Sequence, residues 1–325
     1  MISIVIPTCH RADSLRACLS SLVNQAYDKF EVVVVQCEDD EETISAIDEY
    51  SQELSICTIT QPGGLVSQMN AGLKKSRGEI FLRTDDDIVA DKMWLSEIAS
   101  TFQTGSDIGG VTGPTLIPVE RLLNRDAFLL SPQIRSRRLL FRLGSSIYAN
   151  ILLEGQPDSI GRVFKSGAWS QGSNFEFAVK INDLIEVDYL EACNMAVRKS
   201  LIERAGGFDP SFKSIGEWSE MDLSFKIRSM GYRLCFNPKA IVNHMVSQSG
   251  IFGQRVIASD RMMNFLLFYF RHMKPDSSDG WMRFLSYLSL LQAYWIFKFI
   301  SGRDLRYLGG ISGTLRGLAS SLGQS

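Results

Sequence analysis

The amino-acid sequence predicts an α/β fold in which helices flank a mostly parallel sheet. Short runs of β-branched and aromatic residues recur in the first 90 residues and alternate with segments of helical periodicity. The runs are apolar on both faces, which is typical of strands in a parallel sheet that helices cover on both sides. The fourth run ends in three aspartates, at the strand end where such sheets bind ligands.

Four strands are predicted in the first half, at residues 2–6, 30–35, 55–60 and 79–84, the first of them stopped by Pro7. Asp13 is the predicted N-cap of a helix after the first strand, and the apolar face of this helix consists of Leu15, Cys18, Leu19, Leu22 and Val23. A second helix is predicted at residues 66–75, ending near Gly78.

The second half returns to regular patterns at Val187. Residues 187–212 predict a strand, a turn and a helix that ends at Gly206 and Gly207. The next helix carries Leu223, Ile227 and Met230 on one face and stops at Gly231, and strands follow at residues 232–236 and 240–243.

Residues 116–186 form an irregular, basic segment between these regions. A group of arginines with few acids among them lies at its start. These arginines are Arg121, Arg125, Arg135, Arg137, Arg138 and Arg142. The segment is either a solvated helical face or an amphipathic patch that lies on an anionic membrane or near a phosphorylated acceptor.

The chain beyond Gly253 is helical and rich in aromatic residues. Residues 283–300 have about the length of a short membrane span. Because Arg283, Gln292 and Lys298 interrupt them, a helix that docks on the membrane interface or on the protein is favoured over a true span.

Composition narrows the class of protein and its compartment. The net charge of −2 disfavours nucleic acid as a partner. The N-terminus has no basic region or cleavage site of a signal peptide, and the six cysteines form no CxxC pair. We expect reduced, buried thiols in a cytoplasmic protein, with a zinc site built from these cysteines as the weaker alternative.

Two acidic segments and one histidine carry the candidate chemistry. Asp85, Asp86 and Asp87 offer oxygen ligands for Mg²⁺ or Mn²⁺, unless they are a polar loop that caps the next helix. Glu220 is a candidate general base, whereas Asp222 is predicted to be structural, in the first turn of its helix. The other candidate is His244, a metal ligand or a structural histidine at a strand end.

Several common nucleotide and hydrolase motifs are missing from the sequence. No GxGxxG follows the first strand, and neither GxxxxGK[ST] nor GxSxG occurs. A nucleotidyltransferase would need a glycine-rich, basic loop after its first strand, which the segment PTCHRADS does not supply.

Four collinear segments resemble family-two-type glycosyltransferases of the GT-A fold, a Rossmann-like fold, over about residues 1–246. They are SIVIPTCHRADSLRACLSSLVNQ, GGLVSQMNAGLKKSRGEIFLRTDDDIVADKMWL, VDYLEACNMAVRKSLIERAGGFDPSF and GEWSEMDLSFKIRSMGYRLCFNPKAIVNH. The resemblance implies a catalytic domain at residues 1–250, with the basic segment as an insertion, and a helical C-terminal extension at residues 251–325.

The resemblance also implies roles for individual residues. Asp85 and Asp87 match the DxD motif, with Asp87 and His244 as metal ligands and Glu220 as the catalytic base. The implied contacts to the nucleotide sugar are Pro7, Thr8, Arg11, Gln36, Glu38, Asn70, Arg83, Asp85 and Asp86, and the implied contacts to the donor or acceptor sugar are Glu191, Asn194 and Trp218.

The sequence departs from the family at two places. Most relatives carry an aspartate after the second strand, where this chain has Gln36 and Cys37, and the usual Glu-Asp pair is Ser219-Glu220 here. The preference for uridine is weaker for the first reason, and Glu38 or Asp39 is a substitute. No QxxRW motif follows, which disfavours a processive synthase.

These features predict a non-processive, metal-dependent, inverting glycosyltransferase that uses Mn²⁺ or Mg²⁺. Its expected partners are a nucleotide-diphosphate sugar, with UDP favoured over GDP or dTDP, and a glycan or lipid-linked acceptor in cell-surface polysaccharide biosynthesis. We expect it in the cytoplasm or peripherally on the inner face of the plasma membrane, and the sequence allows a homodimer. The alternative is a catalytically silent relative that binds nucleotide sugars or acts as a scaffold.

Overall fold

The computed structural model describes residues 1–122, 133, 139–247 and 257–322. Its strands, in chain order, are β1 (Ile2–Thr8), β2 (Phe30–Gln36), β3 (Ile56–Thr60), β4 (Ile80–Arg83), β5 (Ile88–Ala90), β6 (Ile108–Thr112), β7 (Thr115–Leu116), β8 (Ile185–Val187), β9 (Met195–Arg198), β10 (Arg233–Phe236) and β11 (Val242–His244). The four predicted strands of the first half and those of the second half are all present, with ends displaced by up to two residues.

Eight of these strands form the central sheet, in the order β3-β2-β1-β4-β9-β6-β10-β8. β1 to β4, β6 and β10 run in one direction, whereas β9 is antiparallel to β4 and β6, and β8 is antiparallel to β10. The predicted mostly parallel sheet is therefore confirmed, with β9 as an antiparallel strand near its centre.

The helices are α1 (Ala12–Val23), α2 (Glu41–Tyr50), α3 (Leu65–Lys75), α4 (Trp94–Gln103), α5 (Val119–Leu122), α6 (Leu139–Ile147), α7 (Lys199–Arg204), α8 (Ser219–Ser229), α9 (Ala258–His272), α10 (Ser278–Gly302) and α11 (Gly309–Leu322). The predicted cap of α1 is wrong. Arg11 occupies the N-cap position, and its side chain makes no hydrogen bond to the backbone of the first turn. Asp13 lies within that turn, 3.0 Å from Arg16.

A small second sheet, β5-β11-β7, fixes the position of His244. β11 pairs antiparallel with β5, so that His244 lies opposite Ile88. Because Ile88 directly follows the three aspartates, this pairing brings His244, from the second half of the chain, beside them. The backbone N–H of Met245 then donates to the carbonyl oxygen of Asp87 at 2.8 Å.

The C-terminal helices share a hydrophobic core with one face of the central sheet. Phe265 and Phe268 of α9 and Phe284, Tyr287 and Trp295 of α10 are buried in this core. Removing any of these aromatic side chains would therefore open a cavity beside the sheet, at a cost of about 3–5 kcal/mol. The division into two domains at residue 250 stays a prediction.

The outward face of α10 carries no charged side chain along most of its length. Its exposed residues between positions 282 and 300 are Met282, Leu285, Ser289, Ala293, Ile296, Phe297 and Ile300, and we call this set the α10 stripe. Among the described residues, no helix combines the length and the apolar character that crossing a bilayer requires. The insertion contains short helical segments, and of the six arginines named above only Arg121 and Arg142 lie within the described residues.

Cys9 and Cys37 form a disulfide, with Cα atoms 5.2 Å apart. The expectation of six reduced thiols is therefore wrong for this pair. The reason is the register of the sheet: Thr8 lies opposite Gln36, so the residues that follow them leave the sheet side by side. Cys18, Cys193 and Cys235 are buried free thiols, and Cys57 is half-buried.

Candidate active site

A polar cavity of about 290 Å³ opens at the carboxyl ends of β1 and β4. It contains most of the side chains that the sequence singled out, and the predicted ones among its lining residues are Pro7, Thr8, Arg11, Arg83, Asp85, Asp86, Asp87, Glu191, Trp218, Glu220 and His244. Parallel strands that end at one edge of a sheet explain why residues distant in sequence meet here.

Asp86 is held in place by residues that follow β1. Thr8 Oγ1 donates to Asp86 Oδ2 at 2.7 Å, and Arg11 Nη1 lies 2.8 Å from Asp86 Oδ1. Burial raises the pKa of Asp86 to about 7, although Arg11 opposes this shift. The Asp86 carboxyl is therefore only partly ionised near neutral pH. It is better suited to hydrogen bonding than to neutralising the charge of a cation.

Asp87, in contrast, is kept ionised. Burial alone would raise its pKa, but His244, Arg11 and the Ser247 N–H together hold the pKa of this carboxyl well below its usual range. Arg11 Nη2 donates to Asp87 Oδ2 at 2.6 Å, the backbone N–H of Ser247 donates to the same oxygen at 2.7 Å, and His244 Nε2 lies 3.2 Å from Oδ1.

The donor atoms around Asp85 fit a divalent cation. A carboxylate oxygen of Asp85, the Cys193 sulfur and a ring nitrogen of His244 lie within 4.8 Å of one another, and Asp85 is more exposed to the cavity than Asp86 or Asp87. Carboxylates accept Mg²⁺ and Mn²⁺ alike, and an imidazole favours the transition metal of the two. Asp85, Asp87 and His244 are thus the residues that could hold such an ion.

Glu220 faces the aspartates from the first turn of α8. Trp218, which precedes this helix, adopts a left-handed conformation with φ 77° and turns the chain so that Glu220 points into the cavity. Arg83 Nη1 lies 3.6 Å from Glu220 Oε2. Burial raises the pKa of Glu220 even though Arg83 opposes it, as a general base near neutral pH requires.

One wall of the cavity combines a carboxyl group with two indole rings. Glu191 accepts hydrogen bonds from Ser173 and, at 3.2 Å, from the Tyr189 hydroxyl, and burial raises the pKa of Glu191. Trp169 and Trp218 meet edge to face, with ring centroids 4.8 Å apart. Apolar ring faces beside hydrogen-bonding groups suit the mixed surface of a sugar.

Four residues predicted to bind the donor or the sugars do not line this cavity. Asn70 exchanges two hydrogen bonds with the backbone of Phe208, at 2.8 and 2.9 Å, and fixes the loop after α7. Asn194 is fully buried; its amide accepts from the Trp94 indole and donates to backbone carbonyls, so it holds β9 against α4.

The other two of these residues lie near the end of β2. Gln36 donates to Thr60 Oγ1 at 3.2 Å, toward the outer strand β3, and the side chain of Glu38 is exposed to solvent. The structure therefore assigns packing or solvent contacts, rather than cavity contacts, to all four.

Sequence reasoning missed Trp169, Tyr189 and Cys193, which line the cavity. Trp169 comes from the irregular insertion, where no motif marks it. Cys193 lies within a matched segment, but only the pairing of β5 with β11 reveals its contact with His244, at 3.7 Å between Sγ and Nδ1.

Asp222 has the structural role that the sequence predicts. Its carboxylate binds Lys226 Nζ at 2.7 Å, Arg271 Nη1 at 2.6 Å and His272 Nε2 at 2.8 Å. These partners outweigh the effect of burial and lower the pKa of Asp222 to about 2. Asp222 therefore ties α8, which carries Glu220, to α9.

The mostly parallel sheet of this chain, with clustered aspartates at its edge and a buried glutamate facing them, is that of the GT-A class of proteins. Residues 3–150 match the profile of Glycosyl transferase family 2, and several curated relatives and one solved neighbour are named as glycosyltransferases. Residues 3–150 are therefore similar to glycosyltransferase family 2, and the chain has the GT-A fold.

Curated relatives are distant, and the chain spans about half of their length or less. The probable glycosyltransferase YdaM of Bacillus subtilis is 23% identical over 249 residues, which cover 74% of this chain and 49% of YdaM. The chondroitin synthase of Pasteurella multocida is 25% identical over 245 residues, which cover 72% of this chain and 23% of the synthase.

Two solved structures share the fold across nearly the whole chain. The mannosyltransferase PcManGT of Pyrobaculum calidifontis, in complex with GDP-Man and Mn²⁺, is 18% identical, with a TM-score of 0.55 and coverage of 100% of this chain and 75% of PcManGT. Residues 1–349 of S. aureus TarS, in complex with UDP-GlcNAc, are 14% identical, with a TM-score of 0.52 and coverage of 98% and 90%.

Proposed function

We propose that this protein is a metal-dependent, inverting glycosyltransferase that moves one sugar from a nucleotide-diphosphate sugar to a hydroxyl group of a glycan or lipid-linked acceptor. The observation that carries the proposal is a single cavity in which the aspartates after β4, His244 and Glu220 face one another. The nucleotide sugars in the two solved neighbours support it.

In the proposed mechanism, Asp85, Asp87 and His244 are the residues that would hold Mn²⁺ or Mg²⁺. Such an ion would supply Lewis-acid stabilisation of the negative charge on the leaving nucleoside diphosphate. Arg11 keeps Asp87 ionised and oriented, at 2.6 Å from Asp87 Oδ2. The Asp86 carboxyl, with its pKa of about 7, can donate or accept a hydrogen bond to the nucleotide.

Glu220 is the proposed general base. Its carboxylate takes the proton of the acceptor hydroxyl as that oxygen attacks the anomeric carbon opposite the diphosphate. Direct displacement by one acceptor oxygen inverts the configuration. Retention through a covalent intermediate would need a second carboxylate as nucleophile, and the proposed mechanism uses none. Ser173 and Tyr189 both donate to Oε1 of Glu191 and orient its carboxyl group. Glu191 is better suited to hold a sugar hydroxyl.

The nucleotide of the donor follows less directly from the cavity. Gln36 does not line the cavity, and its side-chain amide donates to Thr60 instead. A UDP-sugar remains the favoured donor by family resemblance, with GDP- and dTDP-sugars as alternatives, since one neighbour is in complex with GDP-Man and another with UDP-GlcNAc.

A peripheral contact with the inner face of the plasma membrane would bring the cavity to lipid-linked acceptors. The α10 stripe supports this proposal because it presents exposed apolar side chains without a charge. Residues 257–322 contain eight Lys and Arg but four Asp and Glu, although the whole chain is acidic. Basic charge beside an apolar helix face is typical of binding to anionic lipid surfaces.

Calorimetric titration with a panel of nucleotides and nucleotide sugars, with and without Mn²⁺, tests the donor site. We expect one donor to bind with Mn²⁺ and to lose its binding in Asp87→Ala, while Asp91→Ala, an exposed aspartate in the next loop, retains it. Binding that ignores both the metal and Asp87 would contradict the proposed site. Binding without sugar transfer to any acceptor would favour the silent scaffold.

A further inference from the structure

A second group of metal-ligating side chains lies at the ends of β1 and β2, on the far side of Cys9 from the aspartates. It consists of Cys9 and His10, which follow β1, and of Cys37 and Asp40, which follow β2. No step proposed for sugar transfer uses His10, Cys37 or Asp40.

The potential ligand atoms of this group are close together. The sulfurs of Cys9 and Cys37 and a ring nitrogen of His10 all lie within 4.8 Å of one another. Asp40 lies beside them: its Oδ1 is 3.7 Å from His10 Nδ1, and its other oxygen, Oδ2, is 3.8 Å from Cys37 Sγ. Tetrahedral zinc, with bonds of about 2.0–2.3 Å, separates its ligand atoms by about 3.3–3.8 Å.

The backbone around the group is shaped to bring these side chains together. His10 and Asp39 both adopt left-handed conformations, with φ of 53° and 56°, which residues other than glycine rarely do. The buried Asp40 carboxylate accepts from the His10 N–H at 2.6 Å and from the Thr43 N–H at 3.2 Å. These bonds orient the carboxylate, as outer-shell contacts do in metal sites.

We propose that the chain with reduced Cys9 and Cys37 binds Zn²⁺ through these two thiolates and His10, with Asp40 as the fourth ligand. The disulfide and the metal-bound form are alternative states of the same two sulfurs. Binding displaces the two thiol protons and transfers no electrons, because Zn²⁺ has no redox chemistry. A small-molecule thiol converts the disulfide to the two thiols by exchange, and its own sulfurs become the new disulfide.

The site would act as a clip beside the donor cavity. It joins the carboxyl ends of β1 and β2 to the start of α2, and Cys9 also lines the cavity wall. The His10 side chain is 60% exposed, which gives the ion a path from solvent. The ligand set of thiolates and imidazole differs from the carboxylates around Asp87, so the two sites select different ions.

Anaerobic titration of the reduced, chelator-treated full chain with Co²⁺ tests the proposal, since tetrahedral Co²⁺ has visible absorption bands and thiolate ligands add charge-transfer bands in the near ultraviolet. We expect both sets at one equivalent of Co²⁺, and their loss when Zn²⁺ is added. Cys9→Ser and Cys37→Ser should each remove or strongly reduce the charge-transfer bands. Asp40→Asn should weaken Co²⁺ affinity by about 10–100-fold.

Cys193→Ser is the matched control, because Cys193 is the thiol beside Asp85 and His244. The proposal requires that this variant keep the charge-transfer bands. Absence of the bands in the wild-type chain, or their loss in Cys193→Ser with retention in both Cys9→Ser and Cys37→Ser, would overturn it. Circular dichroism of each variant shows that it is folded, and no step of the assay depends on a donor sugar.

Discussion

Arg83 at the end of β4 lies 3.6 Å from Glu220 at the start of α8, and the Arg83 side chain is 4% exposed. A buried guanidinium therefore pairs with the proposed base across the cavity. Arg83 Nη2 also lies 3.9 Å from Asp85 Oδ1. This arginine links the acceptor side of the cavity to the metal side and limits the rise in the pKa of Glu220.

Glu220→Gln should lower the rate of sugar transfer by about 10²–10⁴-fold, because an amide cannot take the acceptor proton. The binding of the donor should change little, since Glu220 belongs to no proposed contact with the diphosphate. Steady-state kinetics together with calorimetry of the same preparation separates the two effects. Glu203→Gln, at an exposed glutamate of α7, is the control. Unchanged turnover would exclude Glu220 as the base.

The pH profile of kcat/KM should show a limb that belongs to Glu220. The base works only when ionised, and burial places its pKa above the ordinary 4.5, so activity should fall as pH decreases through that raised value. In Glu220→Asp the midpoint should move, because the shorter side chain changes the burial of the carboxylate. A low-pH midpoint identical in wild type and Glu220→Asp would argue against this assignment.

His244→Ala should raise the Mn²⁺ concentration for half-maximal activity by at least about tenfold, the lower range seen when supporting contacts of a metal site are removed. Removing the imidazole also deletes the contact of 3.2 Å to Asp87 Oδ1. Cys193→Ser serves as the comparison and should have a smaller effect, because serine retains a polar oxygen. Equal Mn²⁺ dependence in wild type and His244→Ala would mean that the histidine is structural.

Asp222→Asn should reduce the free energy of unfolding by about 2 kcal/mol at neutral pH. The pKa of Asp222 is about 2 in the fold and about 3.8 when unperturbed, so its contribution is present above about pH 4 and is lost as the pH falls toward 2. Urea denaturation at several pH values measures this. Asp279→Asn, in an exposed pair with Arg283, should cost less than about 1 kcal/mol. A loss independent of pH would contradict the linkage to ionisation.

Replacing Ile296 and Ile300 together by glutamate should reduce binding to anionic vesicles in flotation assays. Both side chains are exposed in the α10 stripe, at 42% and 67%. Ile44→Glu, at an isoleucine on α2 that is 45% exposed, is the matched control. Truncation before Arg283 would be a poor test, because it removes core residues of α10. If the double variant binds vesicles normally but changes from dimer to monomer, the stripe is a protein interface instead.

Local patterns in the sequence were sufficient for β1 to β4, β9 to β11, α1, α3, α7 and α8, and for the carboxylates of the cavity, whereas β6, β8 and α2 were not predicted. They could not show which strand ends become neighbours. The disulfide depends on Thr8 lying opposite Gln36, and the contact of Cys193 with His244 depends on β11 pairing with β5. Asn194 illustrates the opposite error: it lies in a matched segment, but β9 turns its amide into the core, where it bonds to Trp94.

The position of β9 has a consequence for how the chain reaches its fold on the ribosome. β9 lies between β4 and β6 in the sheet, but it is synthesised more than 80 residues after β6. At 5–20 residues per second, β4 and β6 would wait roughly 4–17 s with unpaired edges. Such edges are templates for wrong pairing, so the nascent N-terminal half is the stage at which a chaperone would protect this protein.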